Sequence, residues 1–125
     1  MVRMRIEEGK YTLTFPRETC DFARFLFVDD NPFHDPDVDP NAIVPGGLII
    51  GAVGGAVANF LPGRKLRKFT IEFFRPVPIG GTIHLTLKRC EDEARWSAVA
   101  AILSNEQDKP ICRPTKINLE KGKGV

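Results

Sequence analysis

From Asn41 to Gly63 the chain carries no charged side chain, and this stretch constrains the fold more than any other. Pro45-Gly46-Gly47 stands near its start and Leu61-Pro62-Gly63 at its end, so a helix is expected to begin near Gly46-Gly47 and to stop near residue 61. Such a helix is apolar all round and must be covered on nearly every side. Gly47, Gly51 and Gly55 recur every four positions, a small-residue stripe of the kind that packs membrane helices. The uninterrupted apolar part is only about a dozen residues, against the roughly 20 needed to span a bilayer. A buried core helix is therefore expected, not a membrane span.

The rest of the chain supplies the cover. Residues 11–15 alternate apolar and polar side chains and read as a strand, ended by Pro16. A short helix is expected over 17–27, with Phe22, Phe25 and Leu26 on one face, followed by an Asp- and Pro-rich loop over 29–40. After Gly63 the period changes from helix to strand. Strands are expected over 69–73, 82–90, 95–104 and 111–119, with Gly80-Gly81, residues 91–94 and residues 105–110 as turns. Ile83, Leu85 and Leu87 face one way; His84 faces the other and is expected to be exposed. Trp96 fits either the core or a ligand pocket. Short turns between successive strands imply antiparallel pairing. One curved antiparallel sheet wrapped around one apolar helix satisfies all of this: an α+β hot-dog architecture, a single domain over 1–125 with a flexible tail at about 120–125. A chain of 125 residues is long enough for one such core without disulfide or metal staples.

Composition removes several functions. The net charge of +2 is too small to argue for nucleic acid, and no aromatic-basic pattern accompanies it. Cys20, Cys90 and Cys112 are odd in number and form no C-x-x-C pair, so they read as reduced thiols of a cytoplasmic protein. The first residues run into Glu7-Glu8 without an apolar core, so no signal peptide is visible. Asp35-x-Asp37-x-Asp39 begins like a calcium loop, but Pro40 and Gly46 stand where such a loop needs glycine and glutamate. No metal and no redox cofactor is expected.

Chemistry is concentrated in Asp29-Asp30-Asn31-Pro32-Phe33-His34, which reads Asp-x-Asn-Pro-x-His. An Asn-Pro turn folds the chain back, so Asp29 and His34 can point into one pocket. A carboxylate beside an imidazole can hold a water and move its protons, as adding water to a double bond requires. Taken alone, the window is equally a turn with a capping aspartate and a satisfied histidine. Asp29, Asp30, Asp35, Asp37 and Asp39 would favour the protonated form of His34 if they approach it.

Several pieces occurring in order make the chain resemble the MaoC-like, (R)-specific enoyl-CoA hydratase family of hot-dog proteins. They are Phe22-Ala23, the Asp29-x-Asn31-Pro32-x-His34 signature, Gly46, Leu61-Pro62-Gly63, and Phe74-Arg75-Pro76-Val77 followed by Gly80. The resemblance runs from about Tyr11 to Lys88. It implies that Asp29 and His34 are the catalytic pair, that Asn31 lies in the substrate site, and that the substrate is a thioester of coenzyme A or acyl carrier protein. Gly46 and Gly47, at a helix start and without side chains, would offer backbone N–H groups to a thioester oxygen. The glycine stripe would then receive either the sheet or the pantetheine arm. Arg64, Lys65, Arg67 and Lys68 form the one basic cluster, fit for coenzyme A phosphates, an acidic carrier protein or plain solvation. A homodimer or larger homo-oligomer is expected, because a small curved sheet leaves a strand edge for another copy.

Val44-Pro45-Gly46-Gly47-Leu48-Ile49-Ile50 also resembles the central helix of the β-hydroxyacyl-carrier-protein dehydratases, which carry an acid at about the position of Gly51. Many hot-dog thioesterases likewise use Asp or Glu on this helix. Here the helix has no acid or base, which favours the site on the Asp29 loop. The chain departs from the hydratase pattern at Phe27-Val28 (usually Ser-Gly), at Pro45 (usually His) and at Gly54 (a helix serine), and its 34–46 segment is shorter than usual. A thioesterase, or a non-catalytic subunit that binds acyl chains or a partner, is the alternative.

Overall fold

In a computed structural model of the chain, residues 5–27, 31–67, 69–91 and 96–121 are described. Five antiparallel strands form one sheet: β1 (Arg5–Thr14), β2 (Arg64–Leu66), β3 (Thr82–Glu91), β4 (Trp96–Ser104) and β5 (Thr115–Lys121), in the order β1-β3-β4-β5-β2. Two helices, α1 (Arg17–Leu26) and α2 (Gly46–Phe60), and a short 3-10 turn at Pro32–His34 complete the fold. The sheet curls around α2, giving the hot-dog architecture.

The alternating strands bury one face. Ile83, Leu85 and Leu87 of β3, Val99, Ala101 and Leu103 of β4, and Ile117 and Leu119 of β5 are at most 1% exposed. They meet Ile49, Val53, Ala56 and Val57 of α2, a set spaced one helical turn apart. Full burial of each Leu or Ile stabilises the fold by about 1.5–3 kcal/mol. At the far end of the helix, Gly9 lets β1 pass close over α2: a Cβ there would lie 2.8 Å from the Phe60 ring. The Tyr11 hydroxyl donates to Asn59 Oδ1 at 3.3 Å beside it.

The structure corrects several sequence expectations. The first strand starts at Arg5 rather than residue 11, because the polar stretch before Tyr11 pairs rung for rung with β3, from Arg5↔Glu91 to Thr14↔Thr82. Ladder partners there outweigh the missing alternation. The strand expected over 69–73 is not a regular strand. Ile71 is buried and Thr70 and Glu72 are exposed, as alternation requires, but the segment pairs only at Phe73↔Cys112. The β2–β5 register, Leu66↔Leu119, continues at that bridge and so sets Pro114 opposite Ile71. Proline has no N–H to give the ladder, and the ladder opens. For the same reason the last strand begins at Thr115 instead of residue 111. Lys121 is the last residue of β5, and the remainder of the expected tail lies outside the described residues.

One helix face takes a direction the sequence left open, and two other surfaces differ from expectation. The Phe22, Phe25 and Leu26 face of α1 points outward at 62, 79 and 57% exposure, while Cys20 and Ala23 meet the core. Small residues allow the helix to sit close to the sheet, which the large side chains would prevent. Nor is α2 covered on nearly every side: Gly47, Gly51 and Gly55 are exposed, and a Cβ at any of them would meet nothing within 4 Å among the described residues. His84 is half-buried rather than exposed, on the outer face of the sheet opposite Thr12 and Ser104. The side chains of Cys90 and Trp96 lie outside the described residues.

Candidate active site

The His34 turn is built locally. Asn31 caps it: its side-chain Oδ1 accepts from the Phe33 N–H at 3.0 Å, while its carbonyl accepts from the His34 N–H at 3.0 Å. Pro32 sits at the first position of the turn, where its fixed φ suits the bend. The Asn31 side-chain oxygen thus serves the turn that carries His34. His34 is half-buried.

Backbone bonds then fasten this turn beside the start of α2. The Phe33 carbonyl accepts from the Ile43 N–H at 2.9 Å, three residues before Gly46. Residues 42–44 are themselves held by Val44 N–H to the Val77 carbonyl at 2.7 Å and Ile79 N–H to the Ala42 carbonyl at 3.1 Å. Pro45 precedes α2, and no side chain caps the helix start. The first helical N–H groups have no acceptor within the helix, and they carry the positive end of its dipole. Gly46 adjoins Phe73, whose ring would lie 3.4 Å from a Cβ at that position; the space over Gly47 is open among the described residues. The half-buried His34 thus sits on a turn bonded to the segment that leads into a helix start made of two glycines. Asp29, and Lys68 of the basic cluster, lie outside the described residues.

The aspartates after His34 are held by α1, a feature the sequence reading missed. Arg24 Nη2 lies 3.2 Å from Asp35 Oδ2, and Arg17 Nη2 lies 2.6 Å from Asp37 Oδ1. Asp21 stands between the two arginines, 3.5 Å from each. Asp35 Oδ1 also accepts from the Asp37 N–H, and Asp39 Oδ1 from the Asn41 N–H. Asp35 and Asp37 are thus committed to arginines, and Asp39 to its own turn. The available signal was Arg17, Asp21 and Arg24, spaced to share one helix face before an Asp-rich loop.

Elsewhere, Arg64 and Lys65 lie in β2, and Arg67 Nη2 is 3.9 Å from Glu120 Oε2. Burial pushes the Cys20 and Cys112 thiols up, which disfavours the reactive thiolate. Among the described residues no group of three or more His, Cys, Asp or Glu side chains could hold a metal. No helix there is long and apolar enough to cross a membrane.

No family model matches the sequence, and no curated protein matches it by sequence. Solved structures do match by fold. An (R)-hydratase from A. caviae involved in PHA biosynthesis superposes with a TM-score of 0.81 over 92% of this chain and 94% of its own, at 16% identity. An R-hydratase from Pseudomonas aeruginosa gives a TM-score of 0.82 over 93% of this chain and 80% of its own, at 21% identity. A fluoroacetyl-CoA-specific thioesterase gives 0.64 over 91% and 90%, at 16% identity. These likenesses show the hot-dog fold.

Proposed function

We propose that the chain is a MaoC-like acyl-thioester hydratase/dehydratase. It reversibly adds water to a 2-enoyl thioester of coenzyme A or a carrier protein and yields the 3-hydroxyacyl thioester. Water oxygen bonds to C3, the C2=C3 electron pair shifts toward the thioester carbonyl, and a proton arrives at C2. His34 and Asp29 hold the water; one accepts its proton and the other supplies the proton to C2. The N–H groups of Gly46 and Gly47 stabilise the charge developing on the thioester oxygen.

The observation that carries this reading is the bond from Ile43 to the Phe33 carbonyl, which fastens the His34 turn to the segment leading into α2. A thioesterase of the kind that keeps an acid on the central helix has no such residue here, since α2 reads GGLIIGAVGGAVANF. The test is loss of enoyl absorbance when the protein is mixed with a short 2-enoyl-CoA, with free thiol assayed in parallel. Absorbance loss without thiol supports hydration; thiol release from a saturated acyl-CoA would replace it with thioester hydrolysis.

The active form is a homo-oligomer of at least two copies. The uncovered glycine stripe of α2 and the outward Phe22, Phe25 and Leu26 face support this, since large exposed apolar surfaces mark sites of association. Sedimentation at micromolar concentration should give at least twice the 13.9 kDa chain mass; a monomer would contradict it.

A further inference from the structure

We propose that the opening in the sheet edge between residues 70–74 and 113–115 binds the nucleotide end of coenzyme A, with Arg113 contacting a phosphate. The inference deepens the hydratase reading and rests on it for the position of the thioester end. The opening exists because Pro114 interrupts the ladder: the register is the same at Leu66↔Leu119 and at Phe73↔Cys112, yet the rungs between them part. It encloses about 510 Å³, within the roughly 300–1,000 Å³ range of small-molecule sites.

Its lining has the chemistry of a purine nucleotide site. Phe73 and Phe74 supply aromatic faces on which a base can stack. Arg113 is exposed and forms no ion pair with any described residue, leaving its planar fork for a phosphate. Glu72 is the one carboxylate in the lining and can accept from an exocyclic amine. The rung that bears the arginine is fixed, because Thr115 Oγ1 donates to the Arg113 carbonyl at 3.2 Å. Arg75, outside the lining, lies 5.9 Å from the Phe74 ring centre and donates to the Pro110 carbonyl. By contrast, Arg67 in the basic run lies near Glu120, and Lys65 stands opposite that same glutamate in the ladder.

The opening also adjoins the reacting end. Phe73 lines it and is the ring that lies against Gly46 at the start of α2.

The experiment titrates the full chain with free coenzyme A and with pantetheine, which lacks the nucleotide. Arg113→Gln should weaken coenzyme A binding about tenfold or more while leaving pantetheine binding and the melting temperature unchanged. Lys65→Gln should change neither by more than about twofold. The assignment is overturned if Arg113→Gln binds coenzyme A like the wild type, if Lys65→Gln carries the loss, or if the wild type binds no coenzyme A. Failure of the hydratase reading shows separately, as absent hydration of an enoyl-pantetheine thioester alongside Arg113-dependent binding of coenzyme A.

Discussion

The His34→Gln variant is expected to hydrate a 2-enoyl-CoA about 10²–10⁴-fold more slowly in kcat, the range for removing a positioned acid or base. Glutamine keeps a polar, neutral side chain of similar reach but cannot exchange a proton near neutral pH. The turn itself should survive, because it is held by the Asn31 cap and the Phe33–Ile43 backbone bond, neither of which uses the imidazole. KM should therefore stay within a few-fold of the wild type, and the melting temperature should hardly move. A fall of less than tenfold in kcat would remove His34 from the chemistry.

Leu85→Ala is expected to destabilise the fold by about 2–5 kcal/mol in urea unfolding, with the slope unchanged. Leu85 is 1% exposed, and β3 lies between β1 and β4, so Leu85 is flanked by Tyr11 on one side and Leu103 on the other. Neighbours fixed in two ladders cannot easily collapse into the void, which puts the loss toward the upper part of the range. Thr86→Ala, on the opposite face of the same strand, should cost less than about 1 kcal/mol. Equal losses at the two positions would mean that the sheet does not bury this face against α2.

Helix α2 and the alternation of β3 were legible in the sequence because each rests on local pattern alone. An uncharged run closed by Leu-Pro-Gly yields Gly46–Phe60, and Ile83, Leu85 and Leu87 all turn inward. What escaped depends on partners distant in sequence. The polar start of β1 is a strand because β3 lies beside it, and residues 69–73 alternate without pairing because Pro114 stands opposite. Arg17 and Arg24 gained meaning only when the 35–37 loop came down on α1. In the site, the Asn31-Pro32 turn that carries His34 was readable, but its attachment through Ile43 was not. Asn31 adds a role the sequence did not announce, since its Oδ1 accepts from the Phe33 N–H and caps the turn.

The most direct measurement of the central claim compares the wild type and Asp29→Asn for loss of enoyl absorbance with the same 2-enoyl-CoA under single-turnover conditions. The amide keeps the shape of the carboxylate and removes its proton chemistry, so the account requires the variant to fall at least about a hundredfold below the wild type. Equal rates in the two proteins, or no absorbance change in either, would contradict it.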